Sequence, residues 1–368
     1  MHEKIREIFE NEYDLGIITE LNQFTIGAHN KSFGITALKN GEYRKWFFRV
    51  YASDKKQDDI LYEHQLLQFV NQNDSSIIAV PVPTNSGSLF LQNRFDNEFR
   101  FSAVFKFLEG DDCCYSWIYN DVPDILLTSS ATLVARYHKA VFGFSPKIEC
   151  SRSVKEEDII LFASEWYETI ETWLDAMKSD SRTKLFTDYM LSQMKFLQVA
   201  LNKAKEISWF SDILPRMHIH SEIQISNLTY KNNEACGLFD FDWAHWGERL
   251  YDVAYAAKAF CCPWDHTRIG EVDLRKLNLF IGSYNLASLK IKSPLGCLNK
   301  QEVEAFPFML LLGFLRCTYD FVDEFFHDRT LNVFQYYLYA LRFTRNARFV
   351  MDNFDVISRI AAMNNDQL

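Results

Sequence analysis

The chain has 368 residues, of which 48% are hydrophobic and 24% are charged. This composition is typical of a folded globular protein and excludes a disordered or collagen-like chain. Acidic residues outnumber basic residues by 49 to 39, and the resulting net charge of −10 argues against an extended surface for nucleic acid or an anionic membrane. At about 100–200 residues per domain, the length predicts two or three domains.

Targeting and membrane signals are weak in this sequence. The longest apolar run, 308–312 followed by 313–315, is far shorter than the roughly 20 residues that cross a bilayer. The first residues alternate in charge and lack the apolar segment of a secretory signal. We therefore expect a cytoplasmic protein with no membrane span. The eight cysteines include no Cys-x-x-Cys pair, so we expect reduced thiols.

The first hundred residues favour strands. β-favouring residues from 24 to 39 lead into Asn40-Gly41, which is a strong hairpin signal, and the apolar stretch 46–51 follows. Two antiparallel strands are predicted here. Two further strands are predicted over 88–93 and 101–108, after a segment rich in proline and glycine.

A helix is predicted between these strand pairs, over 58–72. Ile60, Glu63 and Leu67 fall on one face of it, so a carboxylate interrupts an apolar stripe. A carboxylate that points inward needs a partner, and Arg49 on the preceding strand is the nearest candidate in sequence. The alternative is a glutamate at the edge of the helix near solvent, and the spacing alone does not decide between the two.

The turn at Glu109-Gly110 marks a predicted domain boundary. Helical spacing then appears over 125–142, 159–177 and 185–205. The sequence therefore predicts an α+β protein with a small β-rich lobe over 1–109 and a larger, mainly helical lobe over 110–368. A cleft between the lobes is the expected place for a ligand.

The segment from 216 to 260 carries the chemistry. Glu222 and Asn227 lie five residues apart in a loop, and Asp240 ends the hairpin that follows. Phosphoryl transfer needs a carboxylate to orient the acceptor hydroxyl, and it needs an amide oxygen and a second carboxylate to hold magnesium. The order and the acid-to-Asn spacing agree with the protein-kinase pattern H-R-D-x-x-x-x-N.

This segment resembles the aminoglycoside phosphotransferase, choline kinase and homoserine kinase superfamily. The superfamily has a protein-kinase-like fold and phosphorylates hydroxyl groups of small molecules, and its usual loop reads His-Gly-Asp-x-His-x-x-Asn. The segment 220–227 keeps the first histidine, His220, and Asn227, with Glu222 in the aspartate position. The segments 237–244 and 250–254 resemble its Gly-x-Ile-Asp and Tyr-Asp-Leu-Ala segments.

The resemblance implies a bilobal protein-kinase-like fold that uses ATP and Mg²⁺. It implies that Glu222 orients the acceptor, that His220 supports the catalytic turn and that Asn227 and Asp240 are metal ligands. The segments 26–33 and 104–110 resemble the nucleotide loop and the hinge strand. The implied nucleotide-binding residues are therefore Gly27, Asn30, Ser32, Arg49 with Glu63 as its partner, Phe105 and Phe107.

The acceptor site is expected in the second lobe. Aromatic and acidic side chains there would suit a cationic acceptor such as an amino alcohol, an amino sugar or an aminoglycoside. The candidates are Asp242, Trp264, Asp265 and Asp320. A solvated helix face would explain the same residues. Neither the identity of the acceptor nor the oligomeric state follows from the sequence.

Glu222 leaves more than one function open, because glutamate moves the carboxylate by one methylene group. The chain is a kinase adapted to glutamate, a pseudokinase that binds nucleotide or a metabolite with little or no turnover, or a protein that uses the fold for other ATP chemistry. A protein-substrate kinase or an interaction domain is a further alternative. Asn227, Asp240, Arg49 and Glu63 favour the active small-molecule kinase, because they supply a complete metal and phosphate apparatus.

Overall fold

The computed structural model describes residues 1–24, 30–112, 121–150, 156–210, 212–263, 269–327 and 329–366. Three predicted site residues, Gly27, Trp264 and Asp265, lie outside these ranges. The described chain has a β-sheet lobe followed by a helical lobe, so the predicted bilobal, protein-kinase-like fold is confirmed.

The first lobe is built on an antiparallel five-stranded sheet in the order β1-β2-β3-β5-β4. Its elements are α1 (His2–Glu12), β1 (Ile17–Phe24), β2 (Lys31–Lys39), β3 (Glu42–Val50), α2 (Gln57–Asn73), β4 (Leu91–Phe95) and β5 (Glu98–Lys106). The predicted strand pairs and the predicted helix correspond to β2-β3, β4-β5 and α2.

Tight turns set the register of this sheet. Asn40 and Gly41 adopt positive φ angles of 52° and 82°, and they place Lys39 opposite Glu42. Positive φ at both central residues is what a two-residue hairpin needs, because its twist then matches that of the strands. The β2-β3 register also places Ser32 directly opposite Arg49.

The two faces of the sheet pack against different cores. On one face, Phe33, Phe48 and Val104 form a small cluster with Ile5 and Phe9 of α1. The other main cluster contains apolar residues of α2 and continues into the second lobe. The helix α2 therefore joins the sheet to the helical lobe and carries Glu63 between them.

The second lobe contains α3 (Asp124–Val141), α4 (Glu156–Met177), α5 (Lys184–Ala204), α6 (Arg249–Phe260), α7 (Leu274–Lys290), α8 (Lys300–His327), α9 (Val333–Asp352) and α10 (Phe354–Asp366). Short strands lie between these helices: β6 (Asp111–Asp112), β7 (Arg216–Ile219), β8 (Leu228–Lys231), β9 (Glu234–Leu238) and β10 (His245–Glu248). The sheet β6-β8-β9 and the pair β10-β7 hold the loops of the candidate site.

The hairpin β8-β9 approaches the end of the first lobe closely. A Cβ atom on Gly237 would lie 2.2 Å from Leu108 and 2.6 Å from Thr229. Side chains do not tolerate such distances, so only glycine fits where the hairpin passes the segment that joins the lobes. Asp240 follows Gly237 by three residues, and this contact therefore helps to fix where Asp240 lies.

Helix α8 is long and apolar enough to cross a membrane, but 78% of its most apolar 18-residue stretch is buried inside the protein. Packing against α5, α6, α9 and α10 explains this composition, because a helix that is apolar on all sides is expected in the centre of a large domain.

Candidate active site

The loop between β7 and β8 is anchored by one buried carboxylate. Asp252, in the first turn of α6, accepts hydrogen bonds from the backbone amides of His220 (2.8 Å) and Ser221 (2.6 Å). His138 on α3 contacts the same carboxylate, with 3.2 Å between Nε2 and Oδ2. Ser221 adopts a positive φ of 68°, a strained conformation that these contacts hold in place.

His220 supports the backbone on both sides of the loop. Its Nε2 atom donates to the carbonyl oxygen of Phe239 at 2.9 Å, and its Nδ1 atom accepts from the amide of Glu222 at 3.3 Å. Both contacts require the same neutral tautomer. Burial lowers the pKa of His220, which also favours the neutral ring. These contacts agree with the predicted supporting role, because they tie Glu222 to the segment that ends at Asp240.

Glu222 is half-buried, and its carboxyl group lies among other acids. Burial, and then the negative charge of Asp240, raise the pKa of Glu222 to about 7, although the positive charge of Lys258 opposes the shift. A carboxylate with a pKa near neutrality is well suited to accept a proton from a hydroxyl group. The raised pKa of Glu222 agrees with the role predicted for it from the sequence.

Asn227 connects the loop to the strand that leads to Asp240. Its side-chain nitrogen donates to the carbonyl oxygen of Glu222 at 2.9 Å, and its backbone carbonyl accepts from the amide of Phe239 at 3.0 Å. The amide oxygen of the side chain makes no hydrogen bond within the described parts of the chain. It is therefore available to a ligand.

Asp240 lies at a turn and faces the first lobe. It has a positive φ of 67°, and its Oδ1 atom lies 3.5 Å from Nη2 of Arg49. Burial raises the pKa of Asp240 despite the positive charge of Arg49. The side chain is still 37% exposed, so a cation could reach it.

Arg49 and Glu63 form a buried ion pair between β3 and α2. Nη1 of Arg49 donates to Oε1 of Glu63 at 3.1 Å, and the two side chains are 7% and 3% exposed. The hydroxyl of Tyr51 donates to the second oxygen of Glu63 at 3.4 Å. Burial raises the pKa of Glu63 to about 7, with Arg49 opposing the shift. The predicted partnership of Arg49 and Glu63 is confirmed.

Asp242 lies beside Arg49 and contacts two further residues of the first lobe. Lys55 donates to it at 2.9 Å, Asn30 donates at 2.5 Å, and Nη1 of Arg49 lies 3.7 Å away. Burial alone would raise the pKa of Asp242, but the charges of Arg49 and Lys55 and the hydrogen bonds lower it to about 2. These contacts favour a place beside the phosphates over the predicted place in the acceptor site. Lys55 was not expected from the sequence.

The oxygen atoms of Asn227 and Asp240 fit a magnesium ion. Carboxylate and amide oxygens are the protein ligands that Mg²⁺ uses, together with phosphate oxygens and water. A divalent cation would also offset the clustered negative charge that, after burial, raises the pKa values of Asp240 and Glu222. The donor set and its charge therefore agree with the implied cofactor.

The predicted hinge residues lie at the end of β5. Phe105 is buried, and its ring contacts the rings of Phe47 and His64. Phe107 is half-buried just beyond the strand, with Nζ of Lys45 5.5 Å from its ring centre. Phe105 therefore packs against other aromatic rings on one face of the sheet. Phe107 lies just after β5, where the chain passes from the first lobe to the second.

Asp320 lies in the helical lobe, on α8. Nε of Arg316 donates to both of its carboxylate oxygens, at 2.9 Å and 3.2 Å. Partial desolvation raises the pKa of Asp320, with Arg316 opposing the shift, and half of its side-chain surface is open to solvent. The charge of this acceptor candidate is thus already paired.

Comparison with known proteins bears on the family and the fold of the chain. A sequence model described as the phosphotransferase enzyme family matches residues 20–277. The structure of an aminopropanol kinase associated with a microcompartment is similar, with 14% identity, a TM-score of 0.67, and coverage of 97% of this chain and 99% of that one. Spectinomycin phosphotransferase in complex with ADP and spectinomycin has 13% identity, a TM-score of 0.62, and coverage of 100% and 98%.

Amicoumacin kinase in complex with AMP-PNP, Ca²⁺ and Ami is also similar. It has 14% identity and a TM-score of 0.59, and the match covers 100% of this chain and 96% of that one. At such identities, the three structures establish the shared fold.

Proposed function

The chain belongs to the phosphotransferase enzyme family, and on that premise we propose that it transfers the γ-phosphoryl group of ATP to a hydroxyl group of a small molecule, with Mg²⁺ as cofactor. The proposal rests on the meeting of three parts of the chain: the loop with Glu222 and Asn227, the segment that ends at Asp240, and the side chain of Arg49. The loop that holds Glu222 and Asn227 is tied through His220 to the segment that ends at Asp240, and Arg49 lies 3.5 Å from Asp240.

Each residue has a defined part in the proposed reaction. Glu222 accepts the proton of the acceptor hydroxyl, and the hydroxyl oxygen forms a bond to the γ-phosphorus. The bond between that phosphorus and the bridging oxygen breaks, and ADP leaves with the electron pair. Arg49 binds phosphate oxygens, and Glu63 keeps its guanidinium in position. Magnesium, held by Asn227 and Asp240, would supply positive charge at the phosphates.

We further propose that the acceptor carries an amino group, as in amino alcohols, amino sugars and aminoglycosides. The names of the similar structures support this class, since aminopropanol and spectinomycin are amino compounds. For the contact with such a group we propose Asp320, whose half-exposed carboxylate would then be shared between the amine and Arg316. We also propose that Asp242 acts on the nucleotide side, because Arg49, Lys55 and Asn30 already contact it.

A protein that binds nucleotide without turnover is the second candidate, and Glu222 is the observation that favours it. To distinguish the two proposed functions, the transfer of labelled γ-phosphate from ATP is measured for a panel of acceptors that carry an amino group. An adapted enzyme labels an acceptor, and Glu222→Gln lowers the rate by about 10²–10⁴-fold because the proton acceptor is lost.

The matched variant is Glu222→Asp. It restores the usual aspartate and keeps the charge, but it shortens the side chain. In an adapted enzyme this change lowers the rate, since a displacement near 1 Å costs about 10²-fold. The second candidate predicts a different result. The wild type would bind ATP but label no acceptor, and the Glu222→Asp variant would gain activity.

A further inference from the structure

Lys258 on α6 reaches across to α8 and ends at the thiol of Cys317. Gly313 and Cys317 are four residues apart on α8, so they lie on the same face of that helix. A Cβ atom on Gly313 would lie 3.6 Å from Cδ of Lys258, and Nζ of Lys258 lies 2.7 Å from Sγ of Cys317. The lysine side chain therefore runs along this face of α8, and its amine stops at the sulfur.

Aromatic rings flank the amine of Lys258. The ring centre of Tyr255, three residues earlier on α6, lies 3.5 Å from Nζ, and that of Phe343 on α9 lies 5.9 Å away. Lys258 is 6% exposed and Cys317 is 8% exposed. No carboxylate in the described part of the chain lies within ion-pair distance of Nζ. The two reactive groups are therefore buried against each other, and no acid competes for the amine.

The distance between nitrogen and sulfur is short for a hydrogen bond to a thiol. Other thiols contact oxygen atoms at 3.4, 3.6 and 3.8 Å, and these belong to Cys236, Cys297 and Cys150. A thiol is a weak hydrogen-bonding group, which agrees with those longer contacts. Two single bonds that meet at one oxygen atom span about the distance found between Lys258 and Cys317. The pair is therefore already placed for a bridge of one atom, and such placement favours reaction.

We propose that Lys258 and Cys317 form a covalent bridge through one oxygen atom, Nζ-O-Sγ, when the protein reacts with hydrogen peroxide. This modification site goes beyond the proposed phosphoryl transfer and does not depend on it. Cys317 is a free cysteine, and the first product of a cysteine with peroxide is a sulfenic acid. Cysteines that react with oxidants are typically found beside cationic groups, as Cys317 is beside Lys258.

The reaction balances with hydrogen peroxide as the oxidant, counting the pair as a thiol and a neutral amine. In the first step Sγ attacks a peroxide oxygen, the O-O bond breaks, an S-O bond forms and one water leaves. In the second step an N-O bond forms between Nζ and the sulfenic oxygen. A second peroxide accepts the two protons and two electrons that are released and leaves as two waters. The bridge joins α6 to α8 and removes the charge of Lys258.

Mass spectrometry of the full chain after peroxide treatment tests the bridge. Trypsin should release residues 250–268 joined to residues 317–329, because a linked Lys258 is no longer a cleavage site. The joined pair should be heavier than the two separate peptides by one oxygen atom less two hydrogen atoms. Dithiothreitol should reduce the bridge and restore cleavage after Lys258.

Two variants remove one end of the bridge each. Lys258→Arg keeps the positive charge but has no primary amine, and Cys317→Ser keeps the size of the side chain but has no sulfur. Neither should yield the joined peptides, and Lys258→Met is a second lysine variant should the arginine variant fail to fold. The matched controls are Lys276→Met, at a buried lysine paired with Asp121, and Cys236→Ser, at a half-buried cysteine on β9. Both controls should yield the joined peptides as the wild type does.

A melting experiment provides a second readout. A cross-link between distant residues constrains the unfolded chain, so peroxide treatment should raise the melting temperature of the wild type by about 5 °C but not that of Cys317→Ser. Peptides that stay separate after treatment, whether Cys317 is unmodified or carries a sulfinic acid, would overturn the proposal. Joined peptides without the added oxygen would show a direct bond between sulfur and nitrogen and would overturn the oxygen bridge.

Discussion

Nη1 of Arg49 lies 3.1 Å from Oε1 of Glu63, and this buried ion pair connects the central strand of the first lobe to α2. The same guanidinium reaches Asp240 at 3.5 Å. One side chain therefore joins the sheet, the helix and the segment that follows the catalytic loop. The relationship explains why a carboxylate interrupts the apolar face of α2.

Glu63→Gln tests the importance of that pair. The change keeps the side-chain volume but leaves Arg49 without its nearest counter-charge, and removing one partner of a buried ion pair costs about 3–5 kcal/mol. We expect a loss of this order in the free energy of unfolding, measured by urea denaturation, together with weaker nucleotide binding.

Glu98→Gln is the matched control for Glu63→Gln. Glu98 pairs with Arg100 on the same sheet, but its side chain is 57% exposed. Exposed pairs contribute about 0–1 kcal/mol, so the control should be nearly as stable as the wild type. Equal losses from the two variants would contradict the role assigned to Glu63.

Asp252→Asn tests the anchor of the catalytic loop. An asparagine offers one acceptor oxygen where the carboxylate accepts from two backbone amides, and the lost contact costs about 1–3 kcal/mol. We expect kcat to fall by about 10²-fold, since Glu222 loses its position. ATP affinity, measured by calorimetry, should change little, and a variant that loses ATP affinity but keeps kcat would contradict this account.

Lys55→Met tests the residue that the sequence did not indicate. Lys55 lies 2.9 Å from Asp242, which Arg49 also approaches at 3.7 Å, so the loss of Lys55 removes one of two positive charges from the proposed phosphate site. We expect the Kd for ATP to rise by about 10-fold or more, the size of one charge-assisted hydrogen bond. Lys56→Met alters the neighbouring exposed lysine and should leave the Kd unchanged.

His218 predicts a pH dependence of stability. Burial lowers the pKa of His218 to about 4, and its Nδ1 atom lies 2.7 Å from the hydroxyl of Tyr62. Below its ordinary pKa of about 6.5, the unfolded chain binds a proton that the folded chain does not. Stability should therefore fall as pH decreases from about 6.5 to about 4, with a contribution of about 2 kcal/mol from this residue after screening.

His218→Gln removes one of the buried histidines whose pKa is lowered, so it should reduce the slope of that pH dependence in denaturation experiments. The exposed His2 provides the control, and His2→Gln should leave the slope unchanged. A slope that is the same in wild type and His218→Gln would show that His218 does not contribute.

Much of the fold could be predicted because local signals agreed with the tertiary structure. Asn40-Gly41 forms the expected hairpin, and the helix over 58–72 corresponds to α2. In contrast, α1 and β1 were not predicted. The strand β1 lies at the edge of the sheet and buries only Ile18, so it lacks the alternation of buried residues that marks a strand.

Sequence patterns point to the part of the site in which the chemistry requires a fixed number of residues between two groups, as between Glu222 and Asn227. Lys55 could not be predicted, because its contact is with Asp242, a residue far along the chain. Asp242 was predicted as an acidic residue of the acceptor site, whereas in the structure its charge is taken up by Arg49 and Lys55. Pairing between distant charges is a property of the folded chain.

The most direct test of the central claim is a thermal-shift measurement with ATP and Mg²⁺, separately and together, on the wild type and on Asp240→Ala. Ligands that bind only the folded state raise the melting temperature. The account predicts a shift that needs both ATP and Mg²⁺ and is lost in Asp240→Ala, whereas Asp188→Ala, at an exposed position on α5, should retain it. The absence of any shift in the wild type would contradict the nucleotide site and the function built on it.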